Sequence, residues 1–95
     1  METKFKYNEP GYIQEAFDYI ASTYNQHYVG KEDVQTIDVW DSLNIAGEMC
    51  QGTAIKYLMR FGKKDGINRK DLLKTLHYTI LLLHFTDEQQ RKDEQ

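Results

Sequence analysis

The chain has 95 residues, 40% of them apolar and 13% aromatic, with a formal net charge of −3, one proline and Cys50 as its only cysteine. That length provides for one domain with a single modest core, and the composition argues against global disorder. An internal disulfide and a CxxC-type zinc site are excluded. With no apolar run near the ~18 to 20 residues of a bilayer crossing, and charged residues following Met1, a soluble intracellular protein is expected.

Residues 1–7 lack periodicity and are expected to form a loose arm. Asn8 can cap a first helix that has Glu9 and Pro10 in its opening turn. Ile13, Ala16, Phe17, Ile20, Ala21 and Tyr24 then follow at helical spacing, as one stripe. The segment YNQHYVGKED is polar and aromatic and fits a surface loop of the kind that carries ligand contacts. From an N-cap at Asp33 or Thr36, a short helix is predicted through Ile37, Val39, Trp40 and Leu43.

A third helix is predicted from about Glu48 to Phe61, with Gly62 suited to the left-handed position beyond its end. At 100° per residue, Cys50, Ala54, Leu58 and Phe61 share one side, while Thr53, Lys56, Arg60 and Lys63 gather on the other. After the turn GKKDG, Asn68 can cap a last helix with Asp71 at its third position, running to about Phe85. That helix has two apolar faces, Leu73, Leu76, Ile80 and Leu83 on one side and Tyr78, Leu81, Leu82 and Phe85 on the other. One face is expected in the core; the second, Tyr78, Leu81, Leu82 and Phe85, is expected to meet another copy in a homo-oligomer. The polar segment 86–95 is expected to fray. The fold class is therefore all-α, a small four-helix domain.

From Gln51 to Lys70 six cations, Lys56, Arg60, Lys63, Lys64, Arg69 and Lys70, face a single carboxylate, Asp65, in a chain that is acidic overall. This asymmetry favours a confined anionic ligand over a nucleic acid, which would require a broad basic face. The same charges also fit a solvated helix face. Lys56 and Arg60, one turn apart, can point at one phosphate, the lysine as a point charge and the arginine as a bidentate fork. Gln51 and Thr53 can add neutral donors, and His27 with Tyr28 can contact a sugar or base. Asp38 and Asp41 have the spacing of a magnesium pair but also that of ordinary surface carboxylates. His77 and His84 lie ~10.5 Å apart along one helix, too far to chelate one ion. No metal or cofactor is expected. P-loop, dinucleotide-fold and hydrolase-elbow motifs are missing from the sequence.

His27-Tyr28, Gly30, Ile37 to Trp40, Cys50 to Lys64 with its AIKYLMRFGKK core, and Asp71 to Lys74 together resemble the SaV-like or phage nucleotide-kinase-like family, DUF3310. The resemblance covers residues 27–84 and leaves the first helix and the acidic tail outside. Two positions depart from the family pattern: Thr53 stands for an asparagine, and His77, Tyr78 and Thr79 stand for Trp-Tyr-Leu. The resemblance implies a tailed-phage source, hence the host cell cytoplasm, and an all-helical oligomer. It also implies either a nucleoside monophosphate kinase lacking a P-loop or a link to host abortive-infection defence.

Three functions follow. The first is a binder that holds a nucleotide or nucleotide-derived defence signal on Lys56, Arg60, Lys63 and Lys64. The second is a deoxynucleoside monophosphate kinase in which Asp38 or Asp71 orients the acceptor. The third is a protein antagonist of a host defence factor, working through the aromatic loop. The cations without a convincing base or metal cage favour the first.

Overall fold

A computed structural model describes residues 2–27 and 34–94, and for Gln26 and His27 only the helical backbone. The expectations for the His27 side chain, Tyr28, Gly30 and an Asp33 cap lie outside the described residues. Among the described residues four helices make up the regular structure, α1 (Glu9–His27), α2 (Thr36–Ser42), α3 (Ala46–Arg60) and α4 (Arg69–Asp93), with no strand. The fold is all-α. Two compact units divide the chain, Met1–Asp33 and Val34–Gln95.

In the first unit, Asn8 takes a left-handed backbone (φ 58°) and its carbonyl accepts from the Tyr12 amide at 3.2 Å, which opens α1. The Asn8 side chain lies over Gly11, where an added Cβ would come within 2.6 Å of it, so a larger residue there would require the exposed Asn8 side chain to swing aside. Of the stripe expected on this helix, Ala16 is buried, whereas Ile13, Phe17 and Tyr24 are exposed.

In the second unit, α2 is capped by Gln35 rather than by Thr36, because the Asp38 carboxylate reaches back to accept from the Gln35 amide at 2.8 Å. Asn44, at φ 62°, turns the chain into α3. The Gly62 amide donates to the Gly66 carbonyl at 2.8 Å, both glycines have positive φ, and the Asn68 side chain accepts from the Lys70 amide at 3.0 Å. These contacts fold GKKDG into a tight reversal, and α3 and α4 become an antiparallel hairpin.

The hairpin packs through small residues. Ala46, Cys50 and Ala54, spaced four apart on α3, are buried and let the α4 backbone approach closely. A Cβ on Gly47 would sit 4.0 Å from Leu82, Phe85 lines a cavity with Ala46, and the Tyr57 and Tyr78 rings stack at 6.2 Å. The face expected to meet another copy, Tyr78, Leu81, Leu82 and Phe85, is thus half-buried within the chain. Conversely Leu76, Ile80 and Leu83, expected in the core, are exposed, as is Leu58 on α3. Periodicity identifies two apolar faces but not which one α3 covers.

α4 also continues past Phe85 to Asp93, where fraying was expected. Pairs at i,i+4 replace the missing apolar stripe: His84 with Glu88 at 2.9 Å, Lys92 with Glu88 at 3.8 Å, and Gln89 donating to Asp93 at 3.0 Å. Each such pair supports helix by a few tenths of a kcal/mol.

Candidate functional site

At the turn end of the hairpin, three cations surround one ring. The Lys56 ammonium lies 5.0 Å from the Tyr57 ring centre, the Lys74 ammonium 4.9 Å and the Arg60 guanidinium carbon 5.8 Å. Lys56 and Arg60 come from successive turns of α3, and Lys74 is brought across by the antiparallel α4. Tyr78, one turn after Lys74, stacks on Tyr57 at an interplanar angle of 19°. Each cation–ring contact is worth about 0.5 to 1 kcal/mol at a partly exposed site.

Arg60 is the most constrained of the three. Its Nη2 donates to Asp65 Oδ2 at 3.2 Å, and its Nε lies 3.7 Å from Asp71 Oδ1, beyond a good hydrogen bond. Asp71, in the first turn of α4, is only 2% exposed. Arg60 Nε and Asp71 Oδ2 are both buried, and neither has a hydrogen-bond partner among the described residues. The two carboxylates offset the arginine and fix its direction, leaving less of it for a ligand than the sequence suggested. Lys56 and Lys74 differ, since among the described residues neither has a carboxylate within 4.0 Å. Lys63 and Lys64 are exposed in the turn, where the Lys63 amide donates to the Arg60 carbonyl at 3.0 Å.

The remaining predicted residues do not join this cluster. Gln51 lies ~7.5 Å along the axis from Lys56 and lines a cavity of about 330 Å³ towards the other end of the hairpin. That cavity also presents Asp41, Glu48 and Glu88, whose charge disfavours a phosphate. The Thr53 hydroxyl is taken up by the Met49 carbonyl at 2.7 Å. Asp38 serves the start of α2. Among the described residues, no three His, Cys, Asp or Glu side chains are grouped to hold a metal ion, and no helix is long and apolar enough to cross a membrane.

Sequence reasoning did not select Tyr57 or Lys74 for the site, and it placed Tyr78 elsewhere. Folding the sequence back about GKKDG would have brought Lys74 and Tyr78 towards Tyr57. Two further groups are tuned by burial: it lowers the pKa of His77, beside the Tyr78 ring at 5.9 Å, and raises that of the buried Cys50 thiol.

The class defined so far is a small all-helical domain with a cation–aromatic cluster at the closed end of a helical hairpin. The chain belongs to the DUF3310 family, described as a protein of unknown function, whose family model matches residues 7–79. This match takes in α1, which the resemblance read from the sequence had left outside. No curated protein and no solved structure matches the chain.

Proposed function

We propose that the protein binds a phosphorylated small molecule of the nucleotide class at the Tyr57 cluster, without turning it over. The supporting observation is the pair of ammonium groups, Lys56 and Lys74, held at 5.0 and 4.9 Å from one ring with no carboxylate to neutralise them among the described residues. Two like charges at one site repel each other, and a dianionic phosphate relieves that repulsion while accepting their hydrogen bonds. Arg60, fixed by Asp65 and Asp71, adds field more than direct contact, and Lys63 and Lys64 extend the positive region into the turn. In this role the protein holds a nucleotide or nucleotide-derived signal of a host defence and keeps it from its receptor.

Binding is favoured over monophosphate kinase activity because both carboxylates considered for orienting an acceptor are engaged. Asp71 is buried against Arg60, and Asp38 accepts from Gln35. Calorimetric titration with ATP, deoxynucleoside monophosphates and cyclic dinucleotides tests the proposal. At least one should bind, with Lys56→Ala and Lys74→Ala each weakening it about tenfold, close to 1.4 kcal/mol, and Gln51→Ala leaving it unchanged. Equal affinity in all three variants would remove the cluster as the site. Diphosphate formed from ATP and a monophosphate would move the assignment to the kinase.

A further inference from the structure

Arg60 is shared between two carboxylates and satisfied in full by neither. Its Nη2 donates to Asp65 Oδ2 at 3.2 Å, while its Nε lies 3.7 Å from Asp71 Oδ1. That Nε and Asp71 Oδ2 are both buried, and neither has a hydrogen-bond partner among the described residues. A good N–H···O bond spans about 2.9 Å, so a shift of about 0.8 Å would close the gap to Asp71. The two carboxylates are unequal. The Asp71 side chain is 2% exposed and held in the first turn of α4, whereas that of Asp65 is 51% exposed on the GKKDG turn. The Gly62 amide on the Gly66 carbonyl closes this turn, so Asp65 can swing into solvent without opening it.

We infer that Asp65 occupies on Arg60 the place of a doubly charged phosphate, and that such a phosphate displaces it on binding. This rests on the nucleotide-class reading above and narrows it to a terminal phosphate monoester. The reason is charge combined with chain linkage. Asp65 is tethered five residues from Arg60, so its carboxylate acts at high effective concentration, and a free anion of equal charge gains little by replacing it. A phosphate monoester carries close to two charges and three strong acceptor oxygens. It can take hydrogen bonds at one time from the Arg60 fork and from Lys56 and Lys74, the three cations around the Tyr57 ring. A phosphodiester keeps one charge per phosphorus and does not compensate for the loss of Asp65. Release from Asp65 has a second effect, because Arg60 is then drawn to Asp71 alone, and closing that gap satisfies buried atoms on both residues. While Asp65 holds it, Arg60 supplies field to the site; after the exchange it supplies contact.

Calorimetric titration of the full chain with the four deoxynucleoside monophosphates and their 3′,5′-cyclic diesters, joined to NMR of the Arg60 Nε–H, tests the exchange. At least one monophosphate should bind wild type tenfold or more tightly than its cyclic diester, which has the same base and sugar. Asp65→Asn should bind that monophosphate about fivefold more tightly still. Asp87→Asn, which removes the same charge from an exposed position on α4, should match wild type. Without nucleotide, Asp65→Asn should already slow hydrogen exchange of the Arg60 Nε–H at least fivefold, because that group closes on Asp71. The monophosphate should produce the same slowing in wild type, and the cyclic diester should not. The Tm of Asp65→Asn should equal or exceed that of wild type, since an exposed ion pair contributes little and a buried contact replaces it. If a monophosphate binds through Lys56 and Lys74 but no more tightly to Asp65→Asn, or leaves the Nε–H exchange unchanged, the inference fails and the proposed site stands. The same holds if only diesters bind. Binding by neither class would overturn both.

Discussion

Replacing Arg60 by methionine tests what the buried carboxylate beneath the cation cluster demands. Asp71 is 2% exposed, and among the described residues its ion-pair partner is Arg60, at 3.7 Å. Arg60→Met therefore leaves a carboxylate buried without an opposing charge. Breaking a fully buried ion pair from one side costs about 3 to 5 kcal/mol. Arg60 itself is 29% exposed and also bound to Asp65, so the lower end, about 3 kcal/mol, is expected. For a domain of this size that corresponds to a fall in Tm of about 12 to 24 °C. Asp71→Asn should cost much less, about 1 kcal/mol, because the amide keeps the shape, removes the buried charge and leaves Arg60 on Asp65. The double variant should then be more stable than Arg60→Met alone, since no isolated charge remains. Urea and thermal unfolding followed by circular dichroism at pH 7 give all three values. If Arg60→Met and Asp71→Asn cost the same to within about 0.5 kcal/mol, the asymmetry is absent and the reasoning fails.

Three further outcomes are expected. Because burial lowers the His77 pKa below 6.5, the unfolded chain binds more protons there. The stability His77 contributes should thus be present above pH ~6.5 and decline as the pH falls through it, and the difference between wild type and His77→Gln should show this slope; a pH-independent difference would contradict it. Glu88→Ala removes two i,i+4 partners, His84 and Lys92, and should cost about 0.5 to 1 kcal/mol; amide exchange should speed up over residues 86–93 while that of Cys50 and Ala54 is unchanged. Cys50, 0% exposed and with its thiol pKa raised, should resist alkylation in the native protein and react in denaturant, and rapid native labelling would place it outside the core.

Local chemistry is what the sequence by itself determined. Four helices, the left-handed turn at Gly62, the Asn68 cap and the cationic side of α3 were all legible, because caps, glycines and period-3.6 patterns act between residues a few positions apart. The continuation of α4 to Asp93 rests on equally local i,i+4 pairs. It was missed because charged pairs leave no apolar stripe to count. Tertiary structure alone decided which face of α4 meets α3, since both faces carry large apolar residues of similar hydrophobicity. The choice came from small residues on the partner helix, Ala46, Gly47, Cys50 and Ala54, whose close approach selects the side with Tyr78, Leu82 and Phe85. That choice in turn carried Lys74 to Tyr57 and set Asp71 against Arg60, two juxtapositions between residues more than ten positions apart. The membership of a site is such a long-range property, fixed by how two helices close on each other and by which charges that closure leaves without a partner.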